Sequence, residues 1–127
     1  MLKNQVILVL DVPNANNRMY SSEVMSEAIK RWADKDMFGT FSDDAAGGSG
    51  VDLSLVTHIV RDLRVEDGKL LGNIHILDTP KGRILQAVLN GGTEVAYRPV
   101  GSGNTVDGVI KDYELWSVSS MLASEAA

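Results

Sequence analysis

The sequence predicts an α+β fold, rich in β-structure, in which an antiparallel sheet carries helices on its outside. Three observations predict it. β-Branched runs recur between clusters of turn-forming residues. Two of those runs are joined by Glu66-Asp67-Gly68, an acidic turn with glycine where a positive φ is needed. Two other segments, one after Ser21-Ser22 and one after Thr79-Pro80, space their apolar residues at the helical period instead. At 127 residues the chain fits one domain, 1–127, large enough to bury a core without staples.

Taken in order, Gln5 to Val12 is apolar and β-branched and runs into Pro13-Asn14-Ala15-Asn16-Asn17, so it reads as a central strand entering a loop. Ser21 and Ser22 can cap the next helix, and Glu23 sits near its positive end. Val24, Met25, Ala28, Ile29 and Trp32 give that helix one apolar face, and it should stop near Ala33 or Asp34. Phe38 to Leu53, with Gly39, Gly47, Gly48 and Gly50, lacks periodicity and reads as a loop. Val56 to Val65 and Lys69 to Leu77 are the arms of the hairpin.

Thr79-Pro80 is a strong helix start, a hydroxyl cap followed by a proline whose missing N–H costs nothing at the first helical position. Ile84, Leu85, Val88 and Leu89 are expected to form its buried face, with Gly91-Gly92 as the stop. Thr93 to Val100 reads as a strand interrupted by Pro99 and closed by Gly101-Ser102-Gly103-Asn104. A last strand is expected from about Val109 to Val118, ahead of the tail Ser124-Glu125-Ala126-Ala127.

Composition narrows the function classes. The absence of cysteine removes disulfides, thiolate metal sites and a thiol nucleophile. Twelve basic against 17 acidic residues give a net charge of −5, which argues against direct binding of nucleic acid. The longest apolar run, Val6 to Leu10, is too short to span a membrane and lacks the flanks of a leader, so it reads as a strand. No membrane partner, cofactor or metal is expected.

Candidate chemistry is sparse. His58 and His75 lie on the two arms of one hairpin; together they could hold a metal or serve a serine, but no third ligand stands at metal spacing. The plain reading is two partly buried imidazoles with backbone hydrogen bonds. Of the serines Ser42, Ser49, Ser54, Ser102, Ser117, Ser119 and Ser120, Ser102 in Gly101-Ser102-Gly103 is the one that suggests an exposed nucleophile, although the Gly-x-Ser-x-Gly elbow is missing. Asp43-Asp44 lacks the spacing of a calcium loop and reads as a solvated acidic loop. Gly101, Gly103 and Gly108 precede no helix and form no phosphate cradle.

Several segments carry a resemblance in consistent order from Gln5 to Val118. Asn14-Ala15-Asn16-Asn17-Arg18-Met19-Tyr20 is followed by Glu23-Val24-Met25 and by Ala28-Ile29. Then come Val56-Thr57-His58-Ile59, the most specific stretch Leu77-Asp78-Thr79-Pro80-Lys81-Gly82-Arg83-Ile84-Leu85, and Val109-Ile110-Lys111-Asp112-Tyr113-Glu114-Leu115. Together they resemble the prohead (capsid-maturation) proteases of tailed bacteriophages, related in fold to herpesvirus assemblin. The resemblance implies a small antiparallel barrel-like sheet of six or seven strands with flanking helices.

It also marks two departures. Where the family carries its catalytic histidine in a Gly-Glu-Leu-x-His-Pro box, the chain reads Gly39-Thr40-Phe41-Ser42-Asp43-Asp44, with Asp43 in the histidine's place. Where the family's nucleophile stands in Val-Ser-Ser-Arg-Gly, the chain reads Val95-Ala96-Tyr97-Arg98-Pro99, with Ala96 in the serine's place. A methyl group cannot attack a carbonyl, and an aspartate cannot relay a proton as imidazole does. The resemblance therefore implies a catalytically degenerate form without catalytic residues. Such a form would be a structural protein of a phage head, assembled in the host cytoplasm. It would bind the major capsid protein as a decoration (cement) or minor capsid protein, with self-association as a further option. The alternatives are an active maturation serine endopeptidase using His58 and Ser102, or a regulatory partner of such an enzyme.

Overall fold

A computed structural model of the chain describes residues 1–45 and 50–126; Gly47, Gly48 and Ser49 of the expected loop, and Ala127 of the tail, lie outside the described residues. The predicted hairpin forms the middle of a four-stranded sheet. Its arms are β3 (His58–Glu66) and β4 (Lys69–Ile76), registered from His58 opposite Ile76 to Glu66 opposite Lys69. Asp67 and Gly68 both take positive φ, 50° and 72°, as a two-residue turn matching the twist of its strands requires.

β1 (Leu2–Val9) adds antiparallel to β4, and β2 (Met37–Gly39) adds antiparallel to β3, giving the order β1-β4-β3-β2. The first strand is thus an edge strand, not the central one its apolar run suggests. Ile7 is buried, whereas Val6 and Val9 are 45% and 51% exposed. β2 lies in the segment expected to be loop. Three residues are too few to show a period, and only their pairing with Val60, Ile59 and His58 makes them a strand.

β5 (Val95–Val106) and β6 (Val109–Leu122) form a separate two-stranded antiparallel ribbon. Both outrun expectation. β5 passes through Pro99 because it pairs only with β6, so the absent N–H can face the side without a ladder. Gly101 and Gly103 are not a turn. A Cβ at Gly101 would overlap the Glu114 carbonyl and the Tyr113 ring, so glycine is required there by packing. The turn is Asp107-Gly108, again with both φ positive.

The ribbon meets the sheet at β2, where Ser120 N–H donates to Thr40 O at 3.0 Å, Ser117 Oγ donates to Phe38 O at 2.8 Å, and Phe41 and Ser120 form a single parallel bridge. On the other side β1 and β5 lie side by side with no ladder among the described residues. The fold is α+β, strand-rich and antiparallel as expected; the described residues form six strands in two sheets, barrel-like and not closed by a continuous ladder.

α1 (Ser22–Lys30) begins at Ser21, whose hydroxyl accepts the Val24 N–H at 3.1 Å. It ends earlier than its apolar spacing suggests, in a turn that closes at Asp34 with φ 59°. Met25 and Ala28 are buried on the sheet, and Trp32 Nε1 donates to Leu115 O at 2.8 Å. These side chains join Ile7, Leu10, Met37, Leu70, Ile74, Leu115 and Val118 in one core, where each large apolar side chain contributes about 2 kcal/mol.

α2 (Pro80–Asn90) starts as predicted, with Thr79 Oγ1 accepting the Gly82 N–H at 2.9 Å. Its expected buried face is only partly buried. Leu85 is 1% exposed, but Ile84 is 52% exposed and Val88 and Leu89 are half-covered, and Ile84 and Val88 line an open groove.

Candidate functional site

His58 opens β3 and is fully buried. Its Nε2 lies 2.8 Å from Val118 O on β6, and its Nδ1 lies 2.5 Å from Thr57 Oγ1. A carbonyl only accepts, so Nε2 carries the proton, and Nδ1 is then the acceptor of the Thr57 hydroxyl. Burial pushes the imidazole pKa down to about 4, opposed in part by the Val118 carbonyl. The ring packs edge-on to Tyr97 with 6.1 Å between centroids. Gly39 sits directly across from it, where a Cβ would overlap both His58 Nε2 and Val118 O. The side chain that most resembles a catalytic base is therefore neutral, spent on two internal hydrogen bonds and sealed from solvent.

His75 does not join it. Residues directly opposite in an antiparallel pair share a face. His58 is opposite Ile76 and His75 opposite Ile59, so the two imidazoles lie on opposite faces of the hairpin. Among the described residues no three metal-capable side chains cluster, and no helix is long and apolar enough to cross a membrane. His75 is half-buried and its Nδ1 has no partner among the described residues, so the backbone hydrogen bond expected of both imidazoles is present at His58 alone.

Ser102 lies exposed on β5 opposite Glu114. Val118, which holds His58, is four residues further along β6, about 13 Å at the rise of a strand. The structure does not bring Ser102 to His58.

Asp43 and Ala96 also part company. Asp43 belongs to the 3-10 turn Ser42–Asp44 and lines a groove of 440 Å³ between that turn, α2 and the ends of β5 and β6. Ala96 is opposite Met121 and lines a different depression of 350 Å³, against β1, with Val6, Val9 and Arg98. Val95 and its cross-strand partner Leu122 line the Asp43 groove, whereas Ala96 lines the other depression.

Two polar residues that the sequence did not single out are buried in the ribbon, one of them, Tyr97, against His58. Tyr97 and Ser120 face each other across the ribbon, are 5% and 0% exposed, and carry hydroxyls with no partner among the described residues. Burial holds the Tyr97 phenol above its usual range. Tyr97 stands in the Val95–Pro99 segment but Ser120 in no motif, so only the β5–β6 register could have revealed the pair.

No family model matches the sequence, and no curated protein matches it. The fold is similar to the solved structure of the bacteriophage T4 capsid assembly protease, gp21, with a TM-score of 0.76 and 20% identity over 94% of this chain and 80% of that chain. The order of strands and helices described above is thus a prohead-protease-like fold.

Proposed function

We propose that this chain is a pseudoprotease: a structural protein of a phage head that binds the major capsid protein as a decoration or minor capsid protein. One observation carries the reading. In a fold similar to that of a capsid assembly protease, the chain has Ala96 and Asp43 at the positions where the family resemblance puts nucleophile and histidine, and these positions line different depressions. No acyl-transfer chemistry can be assembled from them. His58 cannot substitute, since a buried imidazole with a pKa of about 4 and both nitrogens engaged reaches no substrate proton. Loss of chemistry leaves binding, and the net charge of −5 suits the outside of a shell better than the side facing polyanionic DNA.

The test combines two measurements on the full chain. Shells assembled from the major capsid protein of the same phage should carry it down on sedimentation and show density for it by electron cryomicroscopy. A fluorophosphonate probe should leave it unlabelled. Labelling of Ser102, lost in Ser102→Ala together with cleavage of capsid protein, would instead make the chain an enzyme. Co-purification with an intact protease and not with shells would make it a regulatory partner.

A further inference from the structure

α2 has an apolar flank that its own fold leaves uncovered. Ile84 is 52% exposed and Val88, one turn on, is half-covered; across the groove Leu122 is 39% exposed beside Met121. These side chains line a single groove of 440 Å³ whose floor includes the buried Ser120. Scattered exposed apolar residues need no explanation, but residues converging from a helix and a strand end on one concavity mark an interaction surface.

The rim of this groove is acidic. Asp43 and Asp44 stand at one end and Glu125 lines it too, against one cation, Lys81. Lys81 is already engaged, 3.4 Å from Asp44 and over the Phe41 ring. Among the described residues neither Asp43 nor Glu125 takes part in an ion pair, and both are exposed. Two unpaired carboxylates beside an apolar trough complement a ligand that is apolar at its centre and basic at its edges.

We propose that the α2 groove docks a partner-protein segment whose apolar side chains are flanked by Lys or Arg. The apolar side chains seat against Ile84, Val88 and Leu122, and the cations meet Asp43 and Glu125. A second copy of this chain fits less well, because its net charge of −5 would meet an acidic rim. The inference names the gripping surface of the capsid-binding reading and rests on that reading only for the identity of the partner.

Two amphipathic peptides test it, one of leucine and lysine and one of leucine and glutamate, each added to methyl-labelled full chain. The leucine-lysine peptide should shift the methyl signals of Ile84, Val88 and Leu122, and the leucine-glutamate peptide should not. Ile84→Glu should weaken binding at least about tenfold. Asp43→Asn with Glu125→Gln should weaken it about threefold and flatten its salt dependence. Both sets of changes lie on the exposed rim, so unchanged thermal unfolding confirms that the variants fold. Equal binding of both peptides, shifts spread over the surface or centred on Val6 and Val9, or indifference to Ile84→Glu would overturn the proposal. So would a dimer that buries Ile84. Shell sedimentation separates this inference from its parent: shells that retain Ile84→Glu sink the groove and leave capsid binding intact. Groove binding without shell binding sinks the capsid reading alone.

Discussion

The interior around His58 and the groove beside α2 invert the usual distribution of side chains. The first takes polar groups out of water: His58, Thr57, Ser120 and Tyr97 are all at least 95% buried. The second leaves apolar groups in it, with Ile84 and Leu122 exposed between carboxylates. Burying a polar group costs free energy unless it is hydrogen-bonded, and His58 meets that condition on both nitrogens. Exposing apolar surface forfeits stabilisation that folding could have claimed. His58, the side chain most suggestive of catalysis, is thus enclosed by the fold, while the α2 groove keeps apolar side chains and carboxylates at the surface.

The contrast can be broken most severely at Gly39. A methyl group there must displace the His58 ring or the Val118 carbonyl, neither of which is the free end of a flexible chain. Gly39→Ala should cost about 3 kcal/mol or more, read as a lowered urea midpoint or as failure to fold. Wild-type-like stability would show that the His58 cluster is looser than its geometry implies.

A change of pH probes the same cluster more gently. The folded pKa of His58 is below its unfolded value of 6.5, so the unfolded chain binds the proton first. The stability held by the neutral imidazole is complete above pH 6.5 and is lost as pH falls from 6.5 toward about 4. At the acid end the loss should reach about 3 kcal/mol. The carboxylates of Asp11 and Asp36, held low by hydrogen bonds from Ser22 and Arg61 respectively, lose their contribution only below about 3.8 and do not share this window. Urea midpoints at pH 7 and pH 4.5 should therefore differ, and His58→Gln should remove most of that difference. Equal midpoints in the parent protein would contradict the sealed imidazole.

The smallest effect is expected in the groove. Ile84→Ala removes a side chain that is already half in water, so it should alter stability by less than about 1 kcal/mol in the same denaturation. A larger loss would mean that the groove is closed in solution, and the contrast between the two regions would disappear.

Much of the local structure was legible from the chain. The Asp67-Gly68 turn, the Thr79-Pro80 start of α2 and the Ser21 cap of α1 are each specified by a few adjacent residues and by hydrogen bonds of short reach. The β-rich α+β class followed from the same signals, and the prohead-protease-like fold from motifs spread along most of the chain. Of the candidate site, Asp43, Ala96, His58 and Ser102 could be named, but not their mutual placement.

What tertiary structure alone decided is everything that depends on a distant partner. β2 exists because β3 offers it an edge, and β5 continues past Pro99 because only one of its sides is paired. His58 is sealed from solvent because the Val118 carbonyl, 60 residues away, accepts its Nε2 hydrogen bond and the core closes over it. Ile84 is exposed because nothing among the described residues packs on that flank of α2, although its helical spacing marks it for burial. Sequence period fixes which residues share a face, since that is a property of backbone geometry. Whether the face is covered depends on chain segments far apart in sequence, and only the folded molecule brings them together.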